Sequence, residues 1–204
     1  MSRFLLGLTG GLASGKSTVA SWLREAGFLV VDADRIVAEL YAPGGRGAAA
    51  VRELFGDEVL TGEGAVDHQA VAARVFSDAG ARQRLQAAIH PLVRRRFQEI
   101  AAAADGVVVY EATLLVEAGR AGEFDCVLSV ESSPEAQLER AIRRGMDEDS
   151  ARRRLAAQGR GERRRAGADR ILTNDSTLED LRRQVDELID ELRSGGEPKR
   201  SPSR

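Results

Sequence analysis

Between Gly10 and Thr18 the chain reads GGLASGKST, which fits the spacing GxxxxGK[ST] with Gly10, Gly15, Lys16 and Ser17 at the fixed positions. The apolar run Phe4-Leu5-Leu6-Gly7-Leu8 before it is short enough for a buried strand. After it, Val19, Trp22, Leu23 and Ala26 recur at helical spacing until Gly27, which reads as a C-cap. A glycine-rich loop between strand and helix suits a polyphosphate. Glycines let backbone N–H groups approach closely, and the free N–H groups of the helix start point at the same anion. Lys16 is expected to reach the β and γ phosphates as a point charge, and the Ser17 hydroxyl to ligate Mg²⁺. The plainer alternative is a glycine-rich turn with an incidental lysine, but pattern and flanks agree on the phosphate loop. Lys16 also stands apart because the only other lysine is Lys199; arginine carries nearly all the remaining positive charge.

A chain of 204 residues suits one domain with insertions and a core of real size. Hydrophobic residues make up 43% and charged residues 30%, ordinary values for a soluble globular protein. The net charge of −2 exerts no general pull toward nucleic acid or membrane. Cys126, the single cysteine, lies in an apolar run and reads as a buried free thiol, with a cytoplasmic setting as the default. No leader-like opening and no membrane-spanning apolar run is visible, so neither processing nor a membrane partner is expected.

After Gly27, Phe28 to Val31 forms a second strand candidate that runs into Asp32-Ala33-Asp34. Alternating strands and helices imply a parallel sheet, whose ligands collect at the carboxyl ends of its strands. Asp32 and Asp34 fall at that edge. They serve either as caps of the next helix or as carboxylates working beside a Mg²⁺-nucleotide site. From Pro43 to about Asp105 the strand signal disappears. Val51, Leu54 and Phe55 suggest one helix, Val71, Val75 and Phe76 a second, and Leu85 with Ile89 a third. His90-Pro91 is expected to open a fourth, with Leu92, Val93, Phe97 and Ile100 inward. Gly106 to Tyr110 reads as the third strand, Phe124 to Val130 as the fourth and Ala168 to Asn174 as the last. Glu111 stands where phosphate-loop ATPases often place an aspartate for Mg²⁺, a weak hint of a metal-supporting role. Ser176 with Glu179 reads as a capping box before an amphipathic helix through Leu178, Leu181, Val185, Leu188, Ile189 and Leu192.

Arginines crowd the stretch from Arg140 to Arg165, interrupted by Gly145, Gly159 and Gly161. Most of them fit a solvated helical face. One or two on a mobile lid would instead neutralise the transferring phosphate. The expected division is a nucleotide-binding core at 1–42, 106–139 and 166–193, a helical insertion at 43–105, a lid at 140–165 and a disordered tail at 194–204.

The segments TGGLASGKST, VVDADR, the insertion ending in HPLV, TLLVE, SPEAQLERAIRR, LAAQ and ADRILTN occur in this order over nearly the whole chain. Together they resemble the dephospho-coenzyme A kinase family. The phosphate loop alone is shared by many ATPases and GTPases; its combination with DAD, HP, LLxE and ADxxxxN is far more specific. The resemblance implies an α/β fold, a P-loop NTPase-like parallel sheet with helices on both faces, a helical acceptor-binding insertion and an Arg-rich lid. It implies phosphorylation of the ribose 3′-hydroxyl of dephospho-coenzyme A by ATP with Mg²⁺, the last step of coenzyme A synthesis, in the cytoplasm.

By the same resemblance, Gly10, Gly11, Leu12, Ala13, Ser14, Gly15, Lys16, Ser17 and Thr18 would hold ATP. Asn174 lies where the family places the adenine. Asp34 matches the general base, and Asp32 would sit beside it, steering the ribose or the metal. Arg140, Arg144 and Arg164 match basic lid positions, and His90, Leu115 and Glu117 match the acceptor site. The family commonly has Pro where Thr113 stands, Gly where Ser176 stands and Gly at Ala13. A monomer is the expectation.

Three rival readings remain open on the residues alone. A kinase for another small metabolite would share the chemistry and lack the need for a large insertion. A GTP-dependent switch would show NKxD and DxxG, and neither occurs. A nucleic-acid-binding module would want aromatic stacking platforms, and aromatics make up only 4%.

Overall fold

The computed structural model describes residues 3–159, 161–195 and 198. Arg160 of the expected lid and residues 196, 197 and 199–204 of the expected tail lie outside the described residues. The chain divides into two compact units, residues 1–30 with 104–204, and residues 31–103.

In the first unit, β1 (Phe4–Gly10), β3 (Val107–Glu111), β4 (Cys126–Glu131) and β5 (Arg170–Thr173) follow the expected apolar runs, with ends moved by one or two residues. With β2 (Leu29–Asp32), which straddles the division, they form one sheet in the order β2-β3-β1-β4-β5. β1 pairs in parallel with β3 and β4, and β4 in parallel with β5. The register sets Leu8 opposite Glu111, Gly10 opposite Val130 and Glu131 opposite Thr173. Gly10, Glu111 and Glu131 therefore reach the same carboxyl edge.

The core of this unit follows from period. Leu6 and Leu8 of β1, with Leu128 and Val130 of β4, face Val19 and Leu23 of α1 (Lys16–Glu25). The same cluster takes Leu181, Val185, Leu188 and Ile189 from α9 (Leu178–Arg193), an i, i+4, i+7, i+8 stripe. Each such leucine contributes roughly 1.5–3 kcal/mol by burial. On the other face of β1, Gly7 packs against Leu115 and Phe124. Beyond β4 come α6 (Pro134–Arg143), α7 (Glu148–Gln158) and the short α8 (Glu162–Ala166). Ser133 caps α6 and Asp147 caps α7, each accepting from a first-turn N–H. The cap of α9 is Thr177, whose hydroxyl oxygen accepts from Asp180 N. This corrects the expected Ser176–Glu179 box by one residue, because the Leu178 position already begins the helix and Thr177 offers an equivalent hydroxyl.

The second unit is helical: α2 (Ala33–Tyr41), α3 (Arg46–Phe55), α4 (His68–Ser77) and α5 (Ala81–Ala102). The expected break at His90-Pro91 is absent; α5 runs through it with Pro91 inside. The apolar stripe explains this, since Ile89, Val93 and Phe97 are buried at four-residue spacing across the proline. Pro91 and Ala87 both face solvent. The Ala87 carbonyl, which lacks an N–H partner from Pro91, therefore lies on the solvent side of α5, where water can serve it.

Pro91→Ala restores that N–H, so thermal unfolding is expected to show a gain of up to about 3 kcal/mol. An unchanged or lower Tm would mean that proline's stiffening of the unfolded chain outweighs the missing bond.

Candidate active site

The loop leaves β1 at Gly10 and enters α1 at Lys16. Ala13 is the one non-glycine residue with positive φ among those described, at 51°, and Gly15 follows at φ 106°. Left-handed conformations turn successive N–H groups toward one side and so form an anion nest. An alanine in that region costs roughly 1–2 kcal/mol, strain of the kind stored at functional sites. Two N–H groups of the loop are used internally: Ser14 N donates to Gly11 O, and Leu12 N donates to Gln158 Oε1 at 2.9 Å. Among the described residues, the N–H groups of Ala13, Gly15, Lys16 and Ser17 have no acceptor. They stand open at a helix N-terminus, where the macrodipole also favours negative charge.

Neighbouring elements brace this bend. Asn174, which follows β5 and is buried, donates from Nδ2 to Ser14 O at 2.7 Å. Its own carbonyl accepts from Arg140 Nη2 at 2.7 Å and from Ser132 Oγ at 2.8 Å. Thr9 Oγ1 donates to Thr113 O, tying the end of β1 to the segment after β3. Lys16 Nζ donates to Glu111 Oε1 at 2.7 Å, and Arg24 Nη2 to Glu111 Oε2 at 3.0 Å. Glu111 is 5% exposed, so two cations offset one nearly buried carboxylate.

Arg164 is 3% exposed, unlike the mobile lid arginine expected at that position. Its Nε donates to Glu131 Oε1 at 2.7 Å, its Nη2 to Glu131 Oε2 at 3.1 Å and its Nη1 to Glu117 Oε1 at 3.1 Å. Burial by itself lowers the arginine pKa, yet the hydrogen bond and charge of Glu131, with Glu117, outweigh it and hold the pKa above its ordinary value. Glu117 keeps one buried oxygen, Oε2, without a hydrogen bond. Arg140 is partly buried and engaged as described. Arg144 is the C-cap of α6 and is exposed. Arg143, Arg152, Arg153, Arg154, Arg163 and Arg165 are exposed too, in keeping with a solvated face.

Leu115 is 1% exposed and packs against Gly7, whereas its neighbour Leu114 is 47% exposed. In the helical unit, Asp32 Oδ1 accepts from Asp34 N at 2.8 Å and so caps α2. Asp34 itself is exposed, and no side-chain bond to its carboxylate occurs among the described residues; His90 is exposed on α5. No cluster of three or more His, Cys, Asp or Glu side chains suited to a metal occurs among the described residues, and no described helix is long and apolar enough to cross a membrane. Ser17 is exposed at the loop, next to the open N–H groups. A single hydroxyl there fits Mg²⁺, which is habitually held by one or two protein oxygens together with phosphate oxygens and water.

Sequence reasoning missed Glu131, Arg24, Gln137 and Gln158 as parts of this edge. Glu131 carried a signal, a carboxylate ending an apolar strand at the same edge as the loop. Gln137 and Gln158 lay within the segments SPEAQLERAIRR and LAAQ that carry the family resemblance, but nothing in their spacing assigned them to the loop, and Arg24 carried no signal, because polar residues on helices usually face water.

Arg164→Ala leaves Glu131 buried without its main counter-charge, and denaturant unfolding is expected to show a loss of about 3–5 kcal/mol. Adding Glu131→Gln is expected to recover part of it, since a neutral amide needs no cation. A loss below about 1 kcal/mol for Arg164→Ala would show that Arg165, 3.6 Å from Glu131, suffices.

Comparison with known proteins agrees with this geometry. The family model described as dephospho-CoA kinase matches residues 4–180. A dephospho-CoA kinase of Streptomyces avermitilis is 46% identical over 190 residues, covering 92% of this chain and 93% of its own. A crystal structure from Thermus thermophilus superposes with a TM-score of 0.81 at 34% identity, over 94% of this chain and 99% of that one. Shikimate kinase from Acinetobacter baumannii, at 16% identity and a TM-score of 0.55, shares the fold alone. A nucleotide-loop edge braced by β3, β4 and β5 thus sits in a sequence matched by one family model from near its start to residue 180, and the chain belongs to the dephospho-CoA kinase family.

Proposed function

We propose that this chain transfers the γ-phosphoryl group of ATP to the ribose 3′-hydroxyl of dephospho-coenzyme A, giving coenzyme A and ADP. The observation that carries the reading is the set of N–H groups at Ala13, Gly15, Lys16 and Ser17, open among the described residues, beside the Lys16 side chain in a chain of this family. The acceptor oxygen attacks the γ phosphorus while the bond to the β–γ bridging oxygen breaks in line. Because such a transition state is loose, positioning and charge neutralisation supply most of the rate.

Lys16 exchanges Glu111 for the β and γ phosphates, and Arg24 keeps Glu111 compensated while it does. The Ser17 hydroxyl would hold Mg²⁺, which supplies further neutralisation of the phosphate oxygens. Asp34 orients the acceptor hydroxyl and takes its proton late. Asp32, committed to capping α2, holds Asp34 in place rather than reacting. Arg140 serves through Asn174, which steadies Ser14 and borders the adenine. Arg144, exposed and with no side-chain partner among the described residues, is the guanidinium available to the transferring phosphate. Arg164 supports the nucleotide site through Glu131; Leu115 and Glu117 in the first unit, and His90 in the second, are each assigned to the acceptor by the family resemblance.

Purified protein with Mg·ATP is expected to release ADP when dephospho-coenzyme A is supplied, and not with adenosine, deoxynucleosides or nucleoside monophosphates. Lys16→Ala is expected to abolish the release. Asp34→Asn is expected to lower kcat by about 10²–10⁴ with little change in the KM for ATP, the usual range for a general base. Near-normal turnover by Asp34→Asn at saturating substrates would remove that role, and turnover confined to another acceptor would keep the phosphate chemistry and sink the substrate.

A further inference from the structure

Three polar side chains from three successive helices converge on one peptide unit of the phosphate loop. A Cβ placed on Gly11 would stand 2.8 Å from Gln137 Nε2 of α6, 3.1 Å from Arg164 Nη2 of α8 and 3.5 Å from Gln158 Oε1 of α7. Gly11 is therefore needed for crowding, and its φ is not among the positive ones. Of the three, Gln158 makes the direct bond, accepting the Leu12 N–H at 2.9 Å across 146 residues of chain. Gln158 is the last residue of α7, and Gly159 turns the chain immediately afterward at φ 65°. The glutamine is thus held at a helix end with its carboxamide on the loop.

The bond divides the loop's N–H groups. Leu12 spends its amide on the protein, while those of Ala13, Gly15, Lys16 and Ser17 remain open among the described residues. We propose that Gln158 is a positioning residue for phosphoryl transfer: its carboxamide oxygen fixes the Leu12 amide and so joins the arginine-rich segment to the phosphate loop. This rests on the reading that the loop wraps ATP. The residue type suits the task. A carboxamide takes an N–H without bringing negative charge to a site shaped for a polyphosphate, whereas glutamate would accept as well and repel the nucleotide. Leucine would keep the volume and lose the acceptor.

The test uses the full chain as wild type, Gln158→Leu and Gln158→Glu. Its readouts are Leu12 amide exchange without nucleotide, ATP affinity by titration, steady-state kinetics for both substrates, and Tm. Gln158→Leu is expected to exchange the Leu12 amide about tenfold faster and to lose about tenfold in kcat, with the KM for dephospho-coenzyme A unchanged. Gln158→Glu is expected to keep the Leu12 amide protected and to weaken ATP binding more than Gln158→Leu does. Wild-type exchange and wild-type kinetics in Gln158→Leu would overturn the proposal. So would a loss in Gln158→Leu that comes with a lowered Tm and is fully rescued by Gln158→Glu, since that pattern marks a structural contact indifferent to the nucleotide. If wild type fails to phosphorylate dephospho-coenzyme A, the substrate reading falls. The exchange and titration arms still decide the role of Gln158.

Discussion

The structure depends on keeping a row of backbone N–H groups unpaired without letting the bend that presents them collapse. Unsatisfied donors are costly, and a loop free to move would turn them onto its own carbonyls. Here the bend from Gly10 to Lys16 is braced from outside. Asn174 holds the Ser14 carbonyl, Gln158 holds the Leu12 N–H and Thr9 ties the strand end to Thr113. The positive φ of Ala13 persists because these contacts over-determine it.

A second constraint is electrostatic. Two strands beside β1 in the sheet, β3 and β4, end in Glu111 and Glu131, both nearly buried. Each is offset by cations from helices: Glu111 by Lys16 and Arg24, Glu131 by Arg164 with Arg165 nearby. The two pairings differ in consequence. Lys16 is a flexible point charge that moves readily between anions, while Arg164 makes a forked contact with Glu131 that fixes α8 to the end of β4. One carboxylate stores a mobile charge beside the loop; the other anchors the segment that carries Gln158.

Much of this was legible in the residues. The loop spacing, the apolar runs of the sheet, the helical character of the insertion and the stripe on α9 all follow from period and spacing, which are local properties. The mistakes were local too. Pro91 looked like a helix start because proline favours first turns, but the Ile89–Val93–Phe97 stripe outweighed one missing hydrogen bond on a solvated face. Ser176 and Thr177 are chemically equivalent caps, and only the packing of α9 chose between them.

The sequence by itself determined that a strand, a phosphate loop and a helix open the chain, that strands and helices alternate, and that Lys16 and Ser17 begin the helix after the loop while Asp32 and Asp34 come at the end of the second strand. It could do so because those features lie within a few residues of one another. Only the tertiary structure decided which polar side chains meet the loop. Leu12 and Gln158, Ser14 and Asn174, and Lys16 and Glu111 are joined across long stretches of chain. Hydrogen bonds of a few ångströms between distant residues leave no periodic trace; the assembly of β3 and β5 into the sheet and the folding of α7 onto its carboxyl edge create them.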